Sequence, residues 1–499
     1  GVTYQSPEGF LQKRKDLTGT PRNARIVGKV KRSGELLHMK MRDDLAAAVM
    51  QAHRLASSRT LWPGWDFERT PLVLHSKGLS YVVGHPKPPE GYVELEPVAG
   101  RRVHTGPTLP EMAANTAREI EGTISALVMF SEEPVRDPGE FARLILHESF
   151  HAHQLEALSA VEPPDFRVMQ KYPENDPVNN AMSSVENLIL CSAWQSHYAV
   201  IEPSDLTAER ARTVASSFLA VRQARHHYLT TQDLADICVY EERSEFNEGT
   251  PTYIEMKAGK PVTELIDTLR QCNVAGKWAA YRRFYATGAA LALLLDVLSP
   301  DWHLRMAEGR RTLRSLLAES VHSRDAEAAG ADVSEDVPVD TLVDVPVDML
   351  VDVSEVLRSY NYEGILAAEE KSAKERAAEI DKMIRELSDG PGIRVEIEVP
   401  EGAFTLFNPN KVIVVKPGVK LHPTLSGLRG AKGLVVDIAC LCLEDGPGRR
   451  LVLRVPEAPV PAQPDPPITS LTAEGLTISA PQGLKVSAGS EGTYRIQFL

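Results

Sequence analysis

Two histidines four residues apart, with a glutamate beside the first, are the residues in this chain best suited to chemistry. They fall in the run His147-Glu148-Ser149-Phe150-His151. On a helix, positions i and i+4 share a face, so both imidazoles can reach one metal ion. Glu148 then lies near the open coordination position. There it can take a proton from a water that zinc has acidified to a pKa of about 7. With this chain's composition the pattern arises by chance roughly 0.05 times per sequence of this length. The competing reading is a pair of surface or core histidines.

A catalytic zinc site needs a third protein ligand. The extended pattern H-E-x-x-H-x-x-G-x-x-H fails here, because Gln154 stands at the glycine position and Ala157 at the third histidine. His153 lies two residues past His151 and points away on a helix, which leaves it a supporting, rim or surface role. Downstream, Glu245-Phe246-Asn247-Glu248-Gly249-Thr250-Pro251-Thr252-Tyr253-Ile254-Glu255 resembles the N-E-G-x-A-x-Y-x-E segment of the gluzincin metallopeptidases, which include aminopeptidase N and thermolysin-like enzymes. The resemblance implies that Glu248 is the third zinc ligand, beside His147 and His151. It also implies a zincin-like fold and cleavage of amide bonds in a peptide or protein substrate. Gly249 allows a close backbone approach near the metal.

Two features depart from the family pattern. About a hundred residues separate His151 from Glu248, far more than in aminopeptidase N-type enzymes. Pro251 follows the ligand closely, and a proline inside a helix removes a hydrogen bond. The expectation is a helix that begins there, with Thr250 as N-cap and Pro251 in its first turn. Glu245 and Glu242 are rival ligands upstream. The G-x-M-E-N segment that holds a free amine in the aminopeptidases is absent. Val185-Glu186-Asn187 resembles a fragment of it but follows the metal helix, so exopeptidase action is not supported.

Amide hydrolysis also needs a donor for the oxyanion of the tetrahedral intermediate. Tyr285 is the first candidate and Tyr253 and Tyr281 are alternatives. His226 and His227 are adjacent, so their side chains diverge and they read as structural or surface groups. Ser159 and the other serines lie in no G-x-S-x-G context. Two other functions compete with a peptidase. One is a zinc hydrolase of a non-peptide amide or ester. The other is a non-catalytic binding or scaffold protein that keeps the fold, against which the complete H-E-x-x-H argues.

The elements that must position these residues are legible in outline. Asp137-Pro138-Gly139-Glu140 reads as the start of the metal helix, with Asp137 as N-cap, Pro138 at the first turn and Glu140 completing a capping box. Strand-like runs at 71–74, 80–83 and 123–130 precede it. Helical patterns continue to about residue 319, including 205–228 and 277–298. The second of these carries the small-residue centre Ala286-Thr287-Gly288-Ala289-Ala290. A charged helix, 363–387, follows, and Gly390-Pro391-Gly392 marks a boundary. Beyond it, short alternating runs at 394–399, 411–415, 433–439, 450–455, 476–479 and 494–498 read as strands. The prolines of 456–467 divide them.

The expected fold is therefore α+β. A helical or extended segment (1–60) leads into a mostly helical zincin-like catalytic domain with a small sheet (61–330). A low-complexity Asp/Val/Pro insertion or linker (331–355), a charged helix (356–390) and a small antiparallel β domain (391–499) complete it.

Composition narrows the partners. Fifty-five basic residues against 68 acidic ones give a formal net charge of −13, with no basic stripe to hold a phosphate backbone. Nucleic acid is excluded as a partner. The longest apolar run, Ala286 to Leu298, contains Asp296 and is too short to span a bilayer. Five cysteines, an odd number, do not make a disulfide framework and read as small buried hydrophobes. The chain begins with Gly1 rather than methionine. That suggests a truncated start or a removed leader and, with the family's frequent secretion, leans toward export.

Overall fold

The computed structural model describes residues 40–499 apart from 110–111, 113, 159–161, 170, 197–198, 273–279, 309–310, 330–350, 400–403, 410–411, 417, 431–432, 447–448, 458–467 and 490–491. Most of the 331–355 linker, most of the proline-rich 456–467 stretch and Ser159 lie outside the described residues, as do residues 1–39.

Helix α1 (Asp43–Ser58) buries Leu45, Ala48, Val49 and Ala52 along one face. Six strands follow: β1 (Leu72–His75), β2 (Ser80–Val83), β3 (Val93–Val98), β4 (Arg101–Gly106), β5 (Thr116–Ile120) and β6 (Thr123–Met129). They form one sheet in the order β3-β4-β2-β1-β6-β5. β1 and β6 pair in parallel, Leu72 opposite Ala126, and the other pairs are antiparallel. Alternation assigns the two faces. Leu72, Leu74, Val83 and Val128 join the main core with α1, whereas Val73, Val82, Ile120 and Leu127 form a separate small cluster on the opposite face.

The helical layer comprises α2 (Pro138–Ala157), α3 (Phe166–Met169), α4 (Pro177–Trp194), α5 (Ala208–Thr231), α6 (Ala235–Lys257), α7 (Val262–Gln271), α8 (Ala280–Leu298), α9 (Trp302–Glu308) and α10 (Leu313–Ala329). Asp137 caps α2 by accepting from the backbone N–H of Gly139 at 2.8 Å and of Glu140 at 3.1 Å. Helix α2 packs on α1, β6 and α6.

Helix α6 corrects one expectation: it runs straight through Pro251 instead of starting there. Tertiary contacts override the local breaker. At Gly249, α6 meets α8 so closely that a Cβ would stand 2.4 Å from Gly288 Cα. The glycine thus serves helix packing rather than an approach to the metal.

A charged network locks the other face of α6. Arg222 makes a two-pronged contact with Glu245 at 3.1 and 2.8 Å. Arg225 does the same with Glu241 at 2.9 and 2.5 Å. Glu186 on α4 joins Arg222 at 2.9 Å, Arg225 at 2.6 Å and also Arg283 of α8. Three arginines face three glutamates, all buried. Replacing one partner of such a set costs about 3–5 kcal/mol, because a buried charge is left uncompensated.

Helices α11 (Val353–Ser359) and α12 (Tyr362–Asp389) dock on this layer. Val356 lies in the main core, and the buried Glu369 accepts from Asn180 Nδ2 at 3.2 Å.

The C-terminal unit contains β7 (Ile393–Glu398), β8 (Phe404–Pro409), β9 (Ile413–Lys416), β10 (Val419–His422), β11 (Leu425–Gly430) and β12 (Val435–Ile438). It continues with β13 (Cys442–Asp445), β14 (Arg450–Val455), β15 (Ile468–Ala473), β16 (Leu476–Ala488) and β17 (Thr493–Phe498). Val395, Ile397, Ile438, Leu453, Ile478 and Ile496 make its own core. The expectation of an all-antiparallel domain is corrected by one pair. β17 runs parallel to β7, with Tyr494 opposite Val395, because the last strand returns beside the first in the same direction. The whole is α+β with two mixed sheets. Among the described residues no helix is long and apolar enough to cross a membrane, and all five cysteines are free.

Candidate metal centre

Helix α2 presents His147 and His151 on its buried face, with ring centroids 5.0 Å apart. Ala142, Ile145, Leu146 and Phe150 of the same helix are buried in the main core and seat it, and the imidazoles face Glu248 of α6. There Glu248 sends one carboxylate oxygen between them. Its Oε2 lies 3.7 Å from His147 Nε2 and 3.6 Å from His151 Nε2. All three ligand atoms fall within 4.8 Å of one another. A tetrahedral ion with bonds of about 2.0–2.1 Å spaces its ligands about 3.4 Å apart. The two carboxylate–imidazole spacings therefore exceed those around such an ion by only a few tenths of an ångström.

Each donor atom is held from behind. His147 Nδ1 is 2.6 Å from Glu255 Oε1, and Lys260 steadies the other Glu255 oxygen at 2.7 Å. His151 Nδ1 is 2.7 Å from Gln154 Oε1. Tyr281 donates its hydroxyl to Glu248 Oε1 at 2.7 Å, and Asn247 Nδ2 donates to the same oxygen at 3.0 Å. Oε2 is thus the oxygen left to face the histidines. Such outer partners fix ring orientation and tautomer in metal sites.

The electrostatics of the cluster favour positive charge at its centre. Burial pulls the His147 pKa down, but the carboxylates of Glu248 and Glu255 outweigh it and lift the imidazole to about 10. Burial pushes Glu248 upward, yet the two histidines hold its carboxyl well below the usual range. Glu148 is raised to about 6, chiefly by burial, with His147 and His151 opposing. Three carboxylates around two imidazoles favour a cation, and a metal ion supplies more charge than a proton.

The structure sorts the remaining candidates. Tyr285 stacks on His147, with centroids 5.9 Å apart and planes 14° apart, and lines the same cavity as Glu148. Burial, then the charge of Glu248, raises its pKa, so the phenol keeps its proton and remains a donor. Tyr281 holds Glu248 Oε1 directly, and Tyr285 also bears on the Glu248 carboxylate. Tyr253 is turned away to Asp296, at 2.9 and 3.0 Å, and to His303 at 3.2 Å. The rival ligands are engaged elsewhere: Glu245 by Arg222 and by Thr287 at 2.7 Å, Glu242 by Arg314. His153 packs against Phe150 and Trp65. His226 is buried beside Glu241 at 3.3 Å, and His227 is exposed. Glu186 belongs to the arginine network, so its likeness to an amine-binding segment has no counterpart at the site.

Sequence reasoning missed Gln154 and Lys260. Gln154 carried a signal, since it is the residue i+3 from His151 on the same helix, yet it read only as a failed motif position. Lys260 follows the end of α6 and has no motif around it.

A cavity of about 1030 Å³ opens over the trio. Its walls include Asn115 and Thr116 beside β6, Arg143 and Leu155 of α2, and Leu265 of α7. Met129 and Leu155 are exposed apolar groups on its rim. No protein-family model, curated protein or solved structure matches the chain.

Proposed function

We propose that this protein is a zinc-dependent hydrolase of the gluzincin type that cleaves amide bonds in peptides. The observation that carries the reading is the convergence of His147 Nε2, His151 Nε2 and Glu248 Oε2, each oriented by a separate side chain. Two imidazoles and one carboxylate form a donor set of catalytic zinc that leaves a position open. Non-haem iron uses a similar set. The buried Glu148 beside the trio is what hydrolysis needs and favours zinc.

A zinc ion held by these residues supplies a Lewis acid and an acidified water. Glu148 takes the proton of the attacking water, and its pKa near 6 suits a base at neutral pH. The same carboxyl then passes that proton to the departing nitrogen. Tyr285 directs its hydroxyl proton to the oxygen that gains charge. Lys260 and Glu255 keep His147 in one tautomer throughout. The cavity, at the upper end of small-molecule sites, favours a peptide over a small amide or ester. In the Glu148→Gln variant, turnover of a peptide library should fall by about 10²–10⁴-fold with zinc still bound. Undiminished turnover would remove Glu148 from this role.

A further inference from the structure

The extended pattern fails at Gln154, and the helix rule fails at Pro251. The structure brings these two exceptions into contact. Pro251 lacks an N–H, so the carbonyl of Asn247, four residues earlier in α6, has lost its helical donor. Gln154 Nε2 supplies one at 3.2 Å. The same amide nitrogen is 3.2 Å from the Phe246 carbonyl and 2.9 Å from Thr250 Oγ1. The Thr250 hydroxyl already donates to the Phe246 carbonyl at 2.9 Å, so toward Gln154 it can only accept.

Every neighbour at that end of the amide is therefore an acceptor. Gln154 is buried, and a flipped amide would set its oxygen against all three. The orientation is forced: NH₂ toward α6, Oε1 toward His151. An oxygen 2.7 Å from His151 Nδ1 requires the proton on that nitrogen. In the neutral imidazole it is then Nε2, 3.6 Å from Glu248 Oε2, that carries the lone pair a metal needs.

We infer that Gln154 is a positioning residue through which the carbonyl freed by Pro251 fixes the tautomer of His151 for metal binding. The proline sits three residues after Glu248, so one defect in α6 orients a ligand on α2 while the same stretch of α6 delivers its own. The part of this inference that concerns zinc rests on the reading of the metal centre given above. The part that concerns the protein's stability does not.

The test crosses two positions. Gln154→Met removes both ends of the link, and Pro251→Ala returns a helical N–H to the Asn247 carbonyl. Zinc affinity is read by competition with a chromophoric chelator and the thermal midpoint on zinc-free protein. Gln154→Met should bind zinc about 10–100-fold more weakly and melt lower. Adding Pro251→Ala should recover much of the midpoint but none of the zinc affinity. The pair Gln154→Glu with Pro251→Ala should bring zinc affinity back, because a carboxylate still accepts from Nδ1–H. Unchanged zinc affinity in Gln154→Met would overturn the tautomer claim. An equal midpoint loss in both backgrounds would overturn the link to Pro251. Absence of zinc binding in the wild type would overturn the zinc reading itself, and the midpoints would still decide whether the two residues are coupled.

Discussion

Gly288 sets how near α8 can lie to α6, and an alanine there tests whether that nearness shapes the site. A Cβ at this position would stand 2.1 Å from the Glu245 carbonyl oxygen and 2.8 Å from Gly249 Cα. Non-bonded heavy atoms settle at about 3.5 Å, so the helices must part by more than ~1 Å. Both obstructing atoms are backbone, and no rotamer change relieves them. Overpacking of this kind costs about 1–3 kcal/mol, and the upper end applies where backbone meets backbone. At about 2–4 °C per kcal/mol for a unit of a few hundred residues, Tm should fall by about 5–10 °C. The same parting pulls Glu248 and Glu255 on α6 away from Tyr281 and Tyr285 on α8. A displacement of about 1 Å in a catalytic constellation lowers turnover by about 10²-fold. Calorimetry and zinc competition on Gly288→Ala provide the assay. A Tm within about 1 °C of wild type, together with unchanged zinc affinity, would refute the argument that this crossing places the ligand.

Three further outcomes are expected. Glu255→Ala should weaken zinc binding by about 10–100-fold, seen by the same competition assay, because His147 loses the partner that orients it. Tyr285→Phe should lower kcat by about 10²–10³-fold with KM and zinc content unchanged, as loss of a single oxyanion donor does. Acid stability should follow the arginine network. Burial alone would raise Glu186, but Arg222, Arg225 and Arg283 outweigh it and hold its pKa at about 2, and Glu241 is likewise held well below its usual 4.5. Depressed carboxyl groups contribute stability above their unfolded value and lose it as pH falls toward the folded one. The urea midpoint of zinc-free protein should hold above about pH 5 and decline between about 4.5 and 2, with Glu186 alone accounting for on the order of 3 kcal/mol.

The sequence disclosed those parts of the site in which one local rule suffices. The i, i+4 spacing of His147 and His151 needs only a helix, and Asp137 with Pro138 announces its start. Glu248 was legible through the residues around it, not through its distance from His151. What escaped depended on contacts distant in sequence. Pro251 looked like a helix start because the local rule knows nothing of Gly249 against Gly288 or of Gln154 at the orphaned carbonyl. Gln154 meets α6 more than ninety residues away. Strand β3 was missed because it is mostly exposed and shows little alternation, while β1 is buried throughout and was found. The parallel pairing of β7 with β17 joins the two ends of the last unit, which no short window can show. Helix α12 was expected as a charged helix, but its docking was hidden, because Glu369 and Arg376 look like surface groups until Asn180 and Asn175 of the α4 region are placed beside them.

The account stands on a metal held by His147, His151 and Glu248, so metal content tests it most directly. Purified wild-type protein would be measured beside His147→Ala and Glu248→Ala, each after zinc is added back and the excess removed. About one zinc per chain in the wild type, lost from both variants, is the predicted result. A wild-type chain that holds no zinc after add-back, or a Glu248→Ala variant that keeps it in full, would contradict the site as described.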